Sequence, residues 1–148
     1  MNVKTILVPA IAATSLMTLS SYIASAIESK NFSEPELLSR IERRLFQVSK
    51  KAALPAGWFT HYSVGVALTF VYSILNKNMH NKPILKTGLA FGGLTGVTAI
   101  LAWKLALKLL PKRSVRFYNK YYIQLFLVHF VFAFVVLLTQ QSMQTSRQ

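Results

Sequence analysis

Two histidines set inside apolar stretches are the side chains of this sequence best suited to chemistry. His61 lies in residues 57–75, GWFTHYSVGVALTFVYSIL, and His129 in residues 121–138. Neutral imidazoles from two helices can hold a haem iron between them or bind a quinone ring, and an imidazole exchanges protons near neutral pH. Counted from the ends of the two stretches that share one side, His61 lies about four residues in and His129 about eight. The axial offset is about 6 Å at 1.5 Å per residue, which helix tilt can absorb. The plainer role is structural: each imidazole hydrogen-bonds a carbonyl, hydroxyl or tyrosine of a neighbouring helix. No cofactor is expected on that footing; haem is the alternative, with His61 and His129 as its candidate ligands.

Other chemistries lack their residues. There is no Asp, and the four carboxylates, Glu28, Glu34, Glu36 and Glu42, all fall in residues 28–55, so paired acids for acid–base work within an apolar stretch are missing. Ser and Thr are plentiful, but nothing in the spacing sets one beside either histidine as an activated nucleophile. Cysteine is absent, which removes disulfides and thiolate metal sites. No metal site and no enzyme activity are expected. A net charge of +13 suggests nucleic acid until its placement is considered: the basic residues sit between apolar runs rather than on one water-soluble face, so nucleic acid is excluded.

With 53% hydrophobic and 14% charged residues in 148, the chain carries more apolar material than one small soluble core can hide. It reads as a single all-α membrane domain, a bundle of four spans at about 6–27, 57–75, 84–110 and 121–138. In the first, Ala24-Ser25-Ala26 also fits a cleaved leader, but the run is longer than a leader core and Pro9 suits the opening turn of a retained helix. Gly65 leaves a notch in the second span. Gly88, Gly92 and Gly96 recur every four residues on one face of the third, the spacing that lets a neighbouring backbone approach closely; the second span is the expected partner. Phe126, Phe130 and Phe134 form an aromatic stripe on the fourth, read as a packing surface. Tyr118, Tyr121 and Tyr122 form an interfacial belt at its start.

Residues 28–55 look water-facing. Ser33-Glu34-Pro35-Glu36 has capping-box spacing and predicts a helix over about 34–50. Leu37, Leu38, Ile41, Leu45 and Val48 share an arc of about 100°, with Arg40, Arg43, Arg44 and Lys50 elsewhere. Such an amphipathic helix lies on the cytoplasmic membrane surface or packs on the protein's own end. The expected partners are the bilayer, with anionic headgroups at the basic loops, and a second copy or another membrane protein.

The order ATSLMTLSSY, then EPELL, then WFTHYSVG, then the glycine-spaced third span and a histidine in the fourth resembles a family of small four-helix bacterial inner-membrane proteins of unknown function. Met17, Glu34, Pro35, Trp58, His61, Tyr62, Gly65, Gly92 and His129 carry the resemblance, which implies fold and compartment and no activity.

Three classes follow: an accessory or interaction protein of the inner membrane, a haem- or quinone-binding subunit using His61 and His129, and an oligomeric small transporter or pore. The first leads, because spans without buried charge offer little for ion coupling. Orientation follows from the basic residues, which accumulate on the cytoplasmic side: twelve of the 17 Lys and Arg flank the first and third loops, and five lie on the other side. Both termini are therefore expected outside the cytoplasm. A reporter active only in the cytoplasm, fused after Gln148, is expected to stay dark, and a lit fusion reverses the orientation.

Overall fold

The structure, a computed structural model, describes residues 3–75, 83–109 and 118–145. Among them are five α-helices and no strand: α1 (Lys4–Glu28), α2 (Glu34–Phe46), α3 (Lys50–Leu75), α4 (Ile84–Ala106) and α5 (Tyr118–Thr145), with a 3-10 turn at Leu107–Leu109 closing α4. Four of these, all but α2, are long and apolar enough to cross a membrane. The chain is a multi-pass helical bundle. His80 and the basic residues Lys77, Lys82, Lys112, Arg113 and Arg116 lie outside the described residues, as does the side chain of Tyr118.

The bundle is inverted relative to a soluble protein. Ile11, Leu19, Phe59, Leu94, Leu101 and Ile123 are exposed, while Ala13, Thr14, Ser21, Gly65 and Thr69 are buried. Acyl chains solvate the large aliphatic side chains, and small residues inside let the helices approach. In order around the bundle, α3 packs on α1, α1 on α5 and α5 on α4, while α3 and α4 meet where the tilted rings of Tyr72 and Phe91 lie 4.7 Å apart.

The expected partner of the glycine face needs correction. A Cβ on Gly88, Gly92 or Gly96 would lie within 3 Å of Phe134, Phe130 or Phe126 respectively, so the glycine stripe of α4 is the seat of the phenylalanine stripe of α5. Both stripes repeat every four residues, so each ring drops onto one glycine. Gly65 faces Thr14 of α1 instead.

Boundaries also shift. Gln47 adopts a left-handed conformation (φ 53°) that ends α2 at Phe46, and Ser49 then caps α3, its Oγ accepting the Ala52 N–H. The second long helix therefore starts at Lys50, not near residue 57. Pro9 sits in the second turn of α1 rather than the first, and it cannot donate to the Thr5 carbonyl. Gln140 of α5 supplies the missing donor, bonding Thr5 O at 3.3 Å and Ser73 Oγ of α3 at 2.7 Å. In lipid a carbonyl freed by proline must find such a partner. The same side chain shows that the start of α1 and the ends of α3 and α5 share one side of the bundle.

The capping box does not form. Ser33 is the N-cap, but Glu36 bonds Asn31 Nδ2, and Asn31 Oδ1 accepts the Ser33 N–H at 2.9 Å. Leu37 and Ile41 are buried with Phe32, Leu107, Tyr121 and Leu125, so α2 packs on the end of its own bundle, while Leu45 and Phe46 stay exposed. Tyr121, expected in the interfacial belt, is 1% exposed, wedged between Phe32 and the edge of Trp103.

The α4–α5 seam generates a paired expectation. Gly92→Leu drives a side chain into the Phe130 ring and backbone and is expected to cost about 3 kcal/mol or prevent folding. Gly93, next in sequence, has open space within 4 Å of where a Cβ would stand, so Gly93→Ala is expected to be neutral or to stabilise by about 1 kcal/mol through helix propensity. Thermal unfolding of the detergent-solubilised variants separates the two; equal effects would discount the seam.

Candidate ligand-binding cavity

Because α4 leans on α5, a gap is left between α3 and α4, and it forms a cavity of about 230 Å³. Its walls come from every long helix: Thr14 and Met17 of α1, His61, Val64, Gly65 and Leu68 of α3, Thr95, Thr98, Ala99, Ala102 and Trp103 of α4, and Leu125, His129 and Phe132 of α5. Glu34 and Leu38 of α2 roof it. Val64, Thr98 and Ala102 are exposed, so the rim lies on the lipid-facing side between α3 and α4.

The structure brings His61 and His129 to this one cavity. Ser73 and Gln140 are hydrogen-bonded across α3 and α5, and the histidines lie twelve and eleven residues before them. The axial offset is therefore nearer about 1.5 Å than the 6 Å expected from the apolar stretches. The difference arises because α3 begins at Lys50, well before its apolar segment.

Hydrogen bonds fix how each imidazole faces the space. Thr18 Oγ1 gives its one proton to the Thr14 carbonyl at 2.7 Å, so at its 2.8 Å contact with His61 Nε2 the hydroxyl accepts and Nε2–H donates. His61 Nδ1 is then the bare acceptor. His129 Nδ1 lies 2.7 Å from the Leu125 carbonyl, which only accepts, so Nδ1 carries the proton and Nε2 is the acceptor.

Glu34 is the cavity-lining residue that sequence reasoning missed. Expected in a water-facing segment, it is 1% exposed. Its Oε1 accepts from Ser21 Oγ of α1 at 2.9 Å and lies 3.5 Å from Gln124 Nε2 of α5, which also donates to Ser21 Oγ at 2.7 Å. Oε2 is buried with no partner among the described residues. Burial pushes the carboxyl up to about 7, against smaller lowering contributions from its own backbone N–H, Ser21 and Gln124. A signal was present: Glu34 stands three, four and seven residues before Leu37, Leu38 and Ile41, on the stripe that α2 buries.

The geometry does not fit haem. An engineered cavity of about 150 Å³ holds a single benzene ring, so this one takes a ring with a few substituents and not a macrocycle of four pyrroles. His61 Nε2 donates to Thr18, so Nδ1 is the one lone pair this imidazole retains. Among the described residues no three histidine or carboxylate side chains are grouped to hold a metal ion. The glycines assigned to helix packing, Gly88, Gly92 and Gly96, stay outside the cavity, whereas Gly65 lines it.

No family model, no curated protein and no solved structure matches the chain.

Glu34 makes stability depend on pH. A carboxyl raised in the folded state from about 4.5 to about 7 contributes stability that is fully present below pH 4.5 and lost as pH rises through 7. The wild type is expected to lose about 3 kcal/mol between pH 5 and 8.5, since moving a pKa by one is worth about 1.4 kcal/mol. Glu34→Gln keeps the Oε1 acceptor and removes the titration, so its unfolding midpoint should vary much less over that range. Parallel pH profiles for the two proteins would remove the carboxyl as the cause.

Proposed function

We propose that this protein is a multi-pass protein of the bacterial inner membrane, with both termini outside the cytoplasm, that admits a small lipid-soluble ring compound from the bilayer. The observation that supports it is convergence: Glu34 of α2, His61 of α3 and His129 of α5, distant in sequence, line one otherwise apolar cavity whose rim is lipid-facing. Ligand sites have this composition, mostly apolar walls with a few polar groups that orient the occupant. A quinone-class ring matches the size and the chemistry of two imidazoles and a carboxyl. Catalysis is not part of the proposal: the hydroxyl beside His61, that of Thr18, already gives its proton to Thr14 O. Such a subunit suits the accessory role expected from the sequence, holding a ring compound for a partner in the same membrane. Kinship with the four-helix inner-membrane family that its motifs resemble belongs to the same proposal.

Trp103 in the cavity wall supplies the readout. In a Trp58→Phe background Trp103 is the remaining one of two tryptophans. Its fluorescence is expected to be quenched saturably by a short-chain methylated benzoquinone in detergent. Ala99→Phe, which fills the cavity, should abolish the saturable component. Quenching that is linear in quinone, or unchanged by Ala99→Phe, rejects the cavity as a binding site.

A further inference from the structure

We infer that the cavity selects the hydroxyl-bearing form of its ring, a hydroquinone, over the quinone, with His61 Nδ1 and His129 Nε2 accepting hydrogen bonds from its hydroxyls. This rests on the cavity reading above and adds the chemical class of the occupant.

The selectivity comes from the donors and acceptors that remain in the walls. Each candidate donor on the histidines is already used: His61 Nε2–H on Thr18 and His129 Nδ1–H on the Leu125 carbonyl. The hydroxyls of Thr95 and Thr98 are spent on the carbonyls of their own helix, Phe91 and Leu94, at 2.8 and 2.9 Å. What those groups leave are lone pairs on His61 Nδ1 and His129 Nε2, while the unpartnered Oε2 of Glu34 is sealed from the space. The Trp103 indole N–H is the donor that remains, since the Thr14 hydroxyl is sealed from the space. A quinone offers only acceptor oxygens, so both imidazole acceptors would be left facing carbonyls. A hydroquinone brings two O–H donors to meet them, and an unmet buried acceptor is the costlier outcome.

Two further observations narrow the class. Trp103 and Phe132 line a cavity of about 230 Å³, room for one substituted ring, with a chain leaving between Val64 and Thr98 toward the lipid. A cationic amine would also satisfy acceptors, but the chain carries +13 and α2, which roofs the cavity, bears Arg40, Arg43 and Arg44.

The test is equilibrium dialysis of the full chain in detergent at pH 8 under argon, with protein-free micelles as the blank and chromatographic quantification. The probes are trimethylhydroquinone, its dimethyl ether, trimethylbenzoquinone and hexylammonium. Trimethylhydroquinone is expected to bind at least ten-fold tighter than either its ether or the quinone. His61→Gln and His129→Gln should each reduce that preference several-fold while still binding the ring. Equal binding of hydroquinone and ether, tighter binding of the quinone, displacement by hexylammonium, or a preference untouched by both variants overturns the selectivity and leaves the cavity standing. Saturable binding of no probe, or binding undiminished by Ala99→Phe, overturns the cavity itself.

Discussion

The close contact of three glycines with three phenylalanines is the constraint on which the rest of the bundle depends. Gly88, Gly92 and Gly96 give α4 one flat face, and Phe134, Phe130 and Phe126 of α5 occupy it. In lipid no hydrophobic drive pushes helices together, so the pair with the best dispersion contact sets the arrangement. Once α4 is committed to α5, it is drawn away from α3. The two touch at Tyr72 and Phe91 and part below, and the space where they part is the cavity.

A second constraint, satisfaction of polar groups away from water, shapes both ends of the molecule. At one end Gln140 replaces the donor that Pro9 lacks and ties α1, α3 and α5 together. At the other, Ser21, Gln124 and Glu34 join α1, α5 and α2, so the short helix is held by a buried polar node as well as by Leu37 and Ile41. Gly57 lets α2 cross α3 at very short range, since a Cβ there would meet the Pro35 carbonyl and the Ser39 backbone. An amphipathic helix that the sequence allowed on the membrane surface is thereby made the roof of the bundle. The half of its apolar stripe nearest Glu34 is covered; Leu45 and Phe46, past the crossing, are not.

The chemical character of the cavity follows from those same structural bonds. Thr18 and the Leu125 carbonyl consume one nitrogen of each imidazole, and the threonines of α4 turn back on their own carbonyls. Such back-bonding is the usual resolution for a hydroxyl in an apolar helix. Its by-product here is a pocket richer in lone pairs than in protons.

The sequence by itself determined the number and type of elements, because four long, mostly apolar runs have one stable state in a bilayer and the glycine and phenylalanine periods are both written in the chain. It also marked His61 and His129, since an imidazole inside an apolar run is visible by contrast. Only the tertiary structure decided what those features face. A period of four names a helix face but not the helix opposite, so Gly92 was matched with the wrong neighbour. Capping spacing names a helix start but not the competitor for its hydrogen bonds, so Asn31 took Glu36 from Ser33. Glu34 shows the limit most plainly. A carboxylate beside a proline in a charged segment reads as solvated, and only the crossing of α2 over the gap between α3 and α4 takes it out of water, because burial is a property of where elements meet and not of any one of them.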